Sequence, residues 1–368
     1  MIDSNGFGSL RAIGLTPEMA LRVQALGDLP SADGNQLPMR VTEVQREGLT
    51  LHDGTVPHPA RLLPALRHAL DAEGDAVAVG DWVVAERNVH DEWWARWRVP
   101  PLNQLARRLN DGRDKTERAV IASNVDTALL VMGLDNDYNL RRLERYVALV
   151  RMAGVRSVVV LTKKDLCADA AGRLTAVRSM LPTGTVVVAL DLLIDDATAV
   201  LAPWLQPGST LVLLGSSGAG KSTLTNALTR SLSATAVQAV GGNRDGDNRG
   251  RHTTTSRSLH TTVEGACIID TPGLRTLRLD GDAERLDAVY DDIATLAAHC
   301  RFRDCSHGSE PGCAVREAVS PERLHGFGKL LREARRDSQT ALERRAQVQQ
   351  WKVRGRASKI RIAAKRSA

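Results

Sequence analysis

The stretch Thr210-Leu211-Val212-Leu213-Leu214-Gly215-Ser216-Ser217-Gly218-Ala219-Gly220-Lys221-Ser222-Thr223 decides the fold. Residues 210–214 read as a buried strand and residues 223–229 as a helix. Between them stands a complete G-x-x-x-x-G-K-S string, in the strand–turn–helix setting that a phosphate-binding loop requires. The glycines let the backbone wrap an anion, so that successive N–H groups and the positive end of the helix face it. Lys221 is placed to reach β- and γ-phosphates, and the Ser222 hydroxyl to hold Mg²⁺. A glycine-rich turn without a ligand is the plainer reading, and a full match in this setting outweighs it.

Around this loop the rhythm is that of an α/β protein. Residues 126–132 form an uninterrupted apolar run, the kind buried on both faces of a parallel sheet. Residues 140–152 follow with helical period, and further strands are expected at 157–161, 186–189 and 266–269. Strands alternating with helices predict a doubly wound α/β domain. The strand ending in Asp270 runs into Thr271-Pro272-Gly273. Asp270 can serve the Mg²⁺ shell there, and the backbone N–H of Gly273 can sense a γ-phosphate. At the end of strand 157–161 stands Thr162-Lys163-Lys164-Asp165. A carboxylate in this position can accept paired hydrogen bonds from N1–H and the amino group of guanine. Adenine offers no such pair, and a site built for it rejects the analogue strongly. The stem of Lys163 would lie along the base. Alone, T-K-x-D is a weak signal; beside a phosphate loop and D-T-P-G it points to GTP. The guanine motif precedes the phosphate loop, the reverse of the usual order, as joining old termini and opening new ones would produce.

The flanks read differently. Residues 1–35 show weak periodicity and are expected to be a poorly ordered extension. Short alternating runs begin near Arg40, with the hairpin dipeptide Asp53-Gly54 and the β-rich string Val79-Gly80-Asp81-Trp82-Val83. Residues 36–105 therefore fit a small barrel, for which an oligonucleotide-binding (OB) type is a natural candidate, although the spacing serves a ligand-free barrel equally well. Residues 106–277 hold the nucleotide motifs, and 278–328 are helical text around a cysteine cluster. There Cys300-x4-Cys305-x-His307-x5-Cys313 offers three thiolates and one imidazole, a donor set suited to one closed, structural Zn²⁺ site. Of the other cysteines, Cys267 reads as core and Cys167 has no apparent partner. A metal cluster rather than disulfides points to a reducing compartment, the cytoplasm.

The 368-residue chain is 43% apolar and 25% charged, which excludes global disorder. No uncharged apolar run approaches the roughly 18 residues of a membrane span, and no secretory signal is evident, so no membrane partner is expected. Residues 329–368 carry 13 Lys and Arg against 3 acidic residues, a net of +10, which leaves −4 for the rest of a chain whose total is +6. A basic tail on a mildly acidic body points to a polyanionic partner, RNA or DNA first, although a solvated helix and tail would look the same.

In order, the string Val79–Val83, Asn124-Val125-Asp126-Thr127, the run from Asn139 to Arg145, Thr162–Asp165, the phosphate loop, Gly250-Arg251-His252-Thr253-Thr254-Thr255, D-T-P-G and the Cys/His cluster are similar to the circularly permuted ribosome small subunit-dependent GTPase A family, over about residues 36–320. The resemblance implies a multidomain protein: an N-terminal OB-type β-barrel, a central permuted α/β GTPase domain and a C-terminal, mostly helical zinc-binding domain. It implies a monomer that binds the small ribosomal subunit and its rRNA. In late maturation of that subunit it would hydrolyse GTP to GDP and phosphate, with ribosome stimulation. From spacing alone Thr253, Thr254 and Thr255 have equal claim to Mg²⁺; the resemblance selects Thr254. Leu274, directly after D-x-x-G, cannot orient an attacking water, and the resemblance implies His252 for that role. The second base-contacting loop, near Ala189-Leu190-Asp191, departs from the family pattern. An RNA-binding scaffold with a vestigial nucleotide site is the rival from another class, disfavoured by the intact Lys221, Ser222 and Asp270. A GTPase acting on the large subunit is the second rival.

Overall fold

The computed structural model describes residues 4–26, 35–45, 48–110, 116–182, 184–229, 257–271 and 290–338. The chain divides into two units, Met1–Asp280 and Gly281–Ala368. The first begins with helices α1 (Ser4–Ala12) and α2 (Pro17–Ala25). Residues 1–35 were expected to form a poorly ordered extension; residues 4–26 within it instead form two helices. The Thr16 hydroxyl accepts from the Met19 N–H at 3.2 Å, with Pro17 at the first turn, a strong N-terminal stop for α2. Leu10, Ile13, Leu15, Met19 and Val23 are buried against Trp82, Val99 and Cys267. Their apolar partners come from distant strands, so local periodicity alone underrates the segment.

Strands β1 (Gln36–Val44), β2 (Leu49–His52) and β3 (Pro57–Leu62), helix α3 (Pro64–Glu73), and strands β4 (Trp82–Arg87) and β5 (Trp93–Arg98) form the barrel. The strand order is β1-β2-β3-β5-β4, and β4 returns to β1 with Met39 opposite Val83, which closes the ring. This is the OB-type barrel, and its interior is Met39, Val41, Leu51, Val83, Ala85 and Ala95, all at 0% exposure. A two-stranded sheet of β6 (Gln104–Asn110) and β7 (Thr116–Ser123) follows. The sequence boundary expected at 105/106 falls inside β6.

Next come β8 (Thr127–Gly133), α4 (Leu140–Met152), β9 (Arg156–Thr162), α5 (Ala170–Met180), β10 (Val186–Ala189), α6 (Ala197–Leu201), β11 (Thr210–Leu214), α7 (Lys221–Thr229), β12 (Ser258–Thr261) and β13 (Cys267–Asp270). The sheet runs β10-β9-β8-β11-β13-β12, parallel except for β12. All seven residues of β8 are buried, as an unbroken apolar run between two helical layers demands. On one face Leu129, Val131, Leu211, Leu213 and Ile268 meet Leu201, Leu224 and Leu228. β12 also pairs with β1, Glu43 opposite Ser258, so barrel and nucleotide sheet share one continuous eleven-stranded sheet.

A buried cation sits at this junction. Arg40 of β1 is 0% exposed and lies 5.7 Å from the Trp82 ring centroid. Its guanidinium donates to the Ile13 carbonyl and, at 2.8 Å, to the Thr210 hydroxyl, with the opposite charges of Asp126 and Asp81 nearby. It thus ties the N-terminal segment, the barrel and the first residue of β11 together.

The second unit contains α8 (Asp291–Ala297), α9 (Ala314–Ala318) and α10 (Pro321–Ser338). Phe327 of α10 packs edge-on to Tyr290 at 5.1 Å, and Arg323 pairs with Asp292 at 2.8 Å. Helix α10 runs unbroken across the 328/329 boundary expected from the charge pattern. Residues 339–368, most of the basic tail, lie outside the described residues.

Arg40→Ala is expected to cost on the order of 3 kcal/mol, because it strips a buried group network of its cation. The denaturant midpoint should fall accordingly, and proteolysis within residues 4–26 should accelerate under native conditions. An unaltered midpoint would remove Arg40 from the joint.

Candidate functional site

β11 ends at Leu214, the chain turns through residues 215–220, and α7 opens at Lys221. Gly218 and Gly220 take φ of 81° and 95°, left-handed values that glycine adopts without steric cost. A Cβ on Gly215 would stand 2.3 Å from the Val131 carbonyl oxygen, so the loop can press against β8 only with glycine there. The Lys221 ammonium folds over the loop and donates to the carbonyls of Gly215 at 3.2 Å and Ser216 at 2.8 Å. Burial lowers its pKa, and the charges of Asp270 and, less strongly, Asp137 oppose that shift. Asp270 is fully buried at the end of β13. Ser222 and Thr223 lie in the first turn of α7, half-buried.

Two threonines fasten the neighbouring strand ends to this loop. Thr162 donates to the Ala219 carbonyl at 2.6 Å, and Thr271 to the Leu213 carbonyl at 2.6 Å. Through the first bond, Thr162 locks the guanine motif to the phosphate loop. Lys163 then turns left-handed (φ 57°), and its ammonium bonds Asp135 at 2.7 Å. Partial burial works against the Asp135 charge, yet hydrogen bonds from Lys163 and the Asp137 N–H hold its carboxyl below the usual range. Lys164 and Asp165 follow in a single 3₁₀ turn, both exposed. Across the mouth, the Leu192 side chain approaches Gly220, and Asp195 accepts from the Asp191 N–H at 2.8 Å.

The structure therefore brings together Thr162, Lys163, the residues from Gly215 to Thr223, and Asp270. His252, Thr254 and Gly273 lie outside the described residues. Sequence reasoning missed Asp135 and Asp137. The available signal was Asp-Asn-Asp placed just after a buried parallel strand, at the strand ends where open α/β sheets bind ligands.

In the second unit, one ligand atom each from Cys300, Cys305, His307 and Cys313 lies within 4.8 Å of the others. Cys300 Sγ is 3.8 Å from Cys313 Sγ, and His307 Nδ1 is 3.7 and 3.4 Å from the two sulfurs. A tetrahedron with Zn–S bonds of about 2.3 Å has edges of about 3.8 Å, so the spacing fits zinc. His307 reaches inward from a left-handed residue (φ 58°), and Gly312 (φ 69°) returns the chain to Cys313. Cys313 also caps α9, accepting from the Arg316 N–H. Three sulfurs and one nitrogen would leave a bound ion no open position, as in structural rather than catalytic sites.

Zinc should co-purify at one equivalent. Cys305→Ala should lose it and the helical signal of residues 290–338, with nucleotide affinity nearly intact. Metal analysis without zinc in chelator-free preparations would count decisively against the cluster. Asp165→Asn should weaken GTP at least roughly a hundredfold while sparing xanthine nucleotides, whose C2 oxygen accepts from the new amide. Unchanged GTP affinity would remove residues 162–165 from the site.

Comparison with known proteins agrees with this geometry. A family model described as RsgA GTPase matches residues 101–280. The chain is 44% identical over 303 residues to the small ribosomal subunit biogenesis GTPase RsgA of Xylella fastidiosa (strain 9a5c), covering 80% of this chain and 85% of that protein. It is 39% identical over 338 residues to the protein of the same name from Xanthomonas axonopodis pv. citri (strain 306), covering 89% and 88%. In fold it is similar to YjeQ from Thermotoga maritima, with a TM-score of 0.57, 20% identity, and 81% and 98% of the two chains covered. It is also similar to YloQ, described as a circularly permuted GTPase, with a TM-score of 0.56, 21% identity, and 84% and 99% covered. With a permuted sheet, a complete phosphate loop and relatives this similar over most of its length, the chain belongs to the RsgA family of GTPases.

Proposed function

We propose that this GTP hydrolase docks on the maturing small ribosomal subunit, contacts its rRNA, and is stimulated by it to turn GTP into GDP and phosphate. The observation that carries the nucleotide half is the Thr162–Ala219 bond, which holds the guanine motif and the phosphate loop as one surface. Asp165 would pair with the guanine edge, Lys163 would lie along the base, and the N–H groups of residues 215–223 would enclose the phosphates. Lys221 would leave the Gly215 and Ser216 carbonyls for the β- and γ-phosphates. The Ser222 hydroxyl at the start of α7 and the buried Asp270 carboxylate are oxygen donors of the kind Mg²⁺ takes, with Thr254 completing the set. Mg²⁺, when bound, neutralises charge developing on the phosphates. Gly273 would report the γ-phosphate through its backbone N–H, and His252 would hold the attacking water.

The rRNA half is supported by charge and aromatic placement. On the barrel, the exposed Arg61 and Arg96 carry their guanidinium groups 5.9 Å over Trp94 and 4.5 Å over Trp97. Arginine beside half-exposed aromatics can serve both phosphates and unpaired bases. The basic stretch from residue 329 adds sequence-independent attraction to a phosphate backbone. Among the described residues no helix is long and apolar enough to cross a membrane. The protein would work as a cytoplasmic monomer.

GTP turnover measured with and without purified small subunits tests this reading. Basal turnover should be slow, since Leu274 cannot orient water, and small subunits should raise it markedly. His252→Ala should bind GTP and subunits normally, show little stimulation, and remain on the particle when it is pelleted with GTP. Stimulation equal to wild type would show that another group positions the water; stimulation by large subunits instead would redirect the partner.

A further inference from the structure

Asp137 has no part in the mechanism above, yet it is built into the phosphate loop. It lies in the bend between β8 and α4, beside β11. Its carboxylate accepts from the Ser216 hydroxyl and from the Gly133 N–H at 3.1 Å, and lies 2.5 Å from a guanidinium nitrogen of Arg142. The same guanidinium donates to the Asp137 carbonyl. The Asp137 side chain is only 12% exposed. Ser216 is therefore held from both ends: its hydroxyl by Asp137 and its carbonyl by the Lys221 ammonium, 2.8 Å away. Asp270 also acts on Lys221, but that carboxylate has a place at the metal; Asp137 has none.

We propose that Asp137, paired with Arg142 and tethered to Ser216, is a resident negative charge of the phosphate loop: it opposes the phosphates when nucleotide is bound, and so sets the rate at which GDP leaves. The inference rests on the nucleotide reading of residues 215–223. A bound diphosphate brings negative charge into the enclosure that already holds this carboxylate. Like charges sharing a partly buried site repel, and a repulsion equivalent to about one pKa unit shifts an equilibrium about tenfold. Arg142 shares the carboxylate but is 26% exposed, so solvent and salt screen it more than they screen Asp137. The tether to Ser216 keeps the charge beside the loop when Lys221 swings away. Asp137 is thus a positioning residue that acts through Ser216 and Lys221 rather than on the reacting atoms.

Asp137→Asn keeps the size and removes the charge; with its oxygen toward the Gly133 N–H it still accepts there, while its amide N–H meets the Ser216 hydroxyl oxygen. Release of a fluorescent GDP analogue should slow about tenfold, and the KM for GTP should fall more than kcat changes. Asp137→Glu should restore release close to the wild-type rate, and the gap between wild type and the asparagine variant should narrow as salt rises. If Asp137 only anchored the bend, asparagine would release GDP as wild type does and alanine faster; that result overturns the proposal. Lys221→Ala separates the site from this charge. If it binds nucleotide as wild type does, the phosphate-loop reading falls and this inference with it. If it loses nucleotide while Asp137→Asn leaves release unchanged, only the inference falls.

Discussion

A guanidinium removed from water must find its partners before anything around it can pack, and Arg40 finds them on three separate parts of the chain. Its donors reach a carbonyl of the N-terminal segment and a hydroxyl at the start of β11, while its Cζ lies 5.7 Å from the ring centroid of Trp82 in the barrel. Thr210 also donates its N–H to Asp126 at 2.7 Å, so the entry to β8 is drawn into the same junction. β11 then carries that position forward, five buried residues along, to the phosphate loop. The distance from Arg40 to the loop is covered by one central strand, and a parallel strand buried on both faces has little freedom to slide.

The shared sheet makes this rigidity directional. β1 serves the barrel through β2 and β4 and the nucleotide sheet through β12. β12 leads into β13, and β13 delivers Asp270 beside Lys221. Barrel and nucleotide sheet are thus joined by hydrogen-bonded strands, with Glu43 opposite Ser258 at the seam. If a partner sets the rate, as proposed, such a route would be a physical means by which binding far from the phosphates biases the site.

Much of this was legible from local pattern because the chemistry is local. A phosphate loop needs glycines and a lysine at fixed offsets, a doubly buried strand needs an unbroken apolar run, and four zinc donors in one short segment need only a turn to meet. What escaped depends on contacts between distant segments. α2 announces itself through Thr16-Pro17-Glu18, but its reason to fold is Trp82 and Cys267, which no window around residue 20 contains. β12 has four residues of mixed polarity and is a strand because β1 and β13 flank it. Asp135 and Asp137 read as loop acids until β8 is known to lie beside β11. Thr162 looks like a weak version of a guanine motif until its hydroxyl is seen on the Ala219 carbonyl, a bond that binds the two nucleotide motifs to each other.

Permutation changes what each motif is attached to. In this chain the guanine-motif strand β9 comes before β11, so among the described residues β13 is the last strand before the second unit. Residues 272–289 join the end of β13 to the helices around the Cys/His cluster. Thr271, bonded to Leu213, fixes the start of that path against the central strand. At its far end the donor set of Cys300, Cys305, His307 and Cys313, with a metal bound, would give the helices a fixed point that a core of this size would struggle to supply alone.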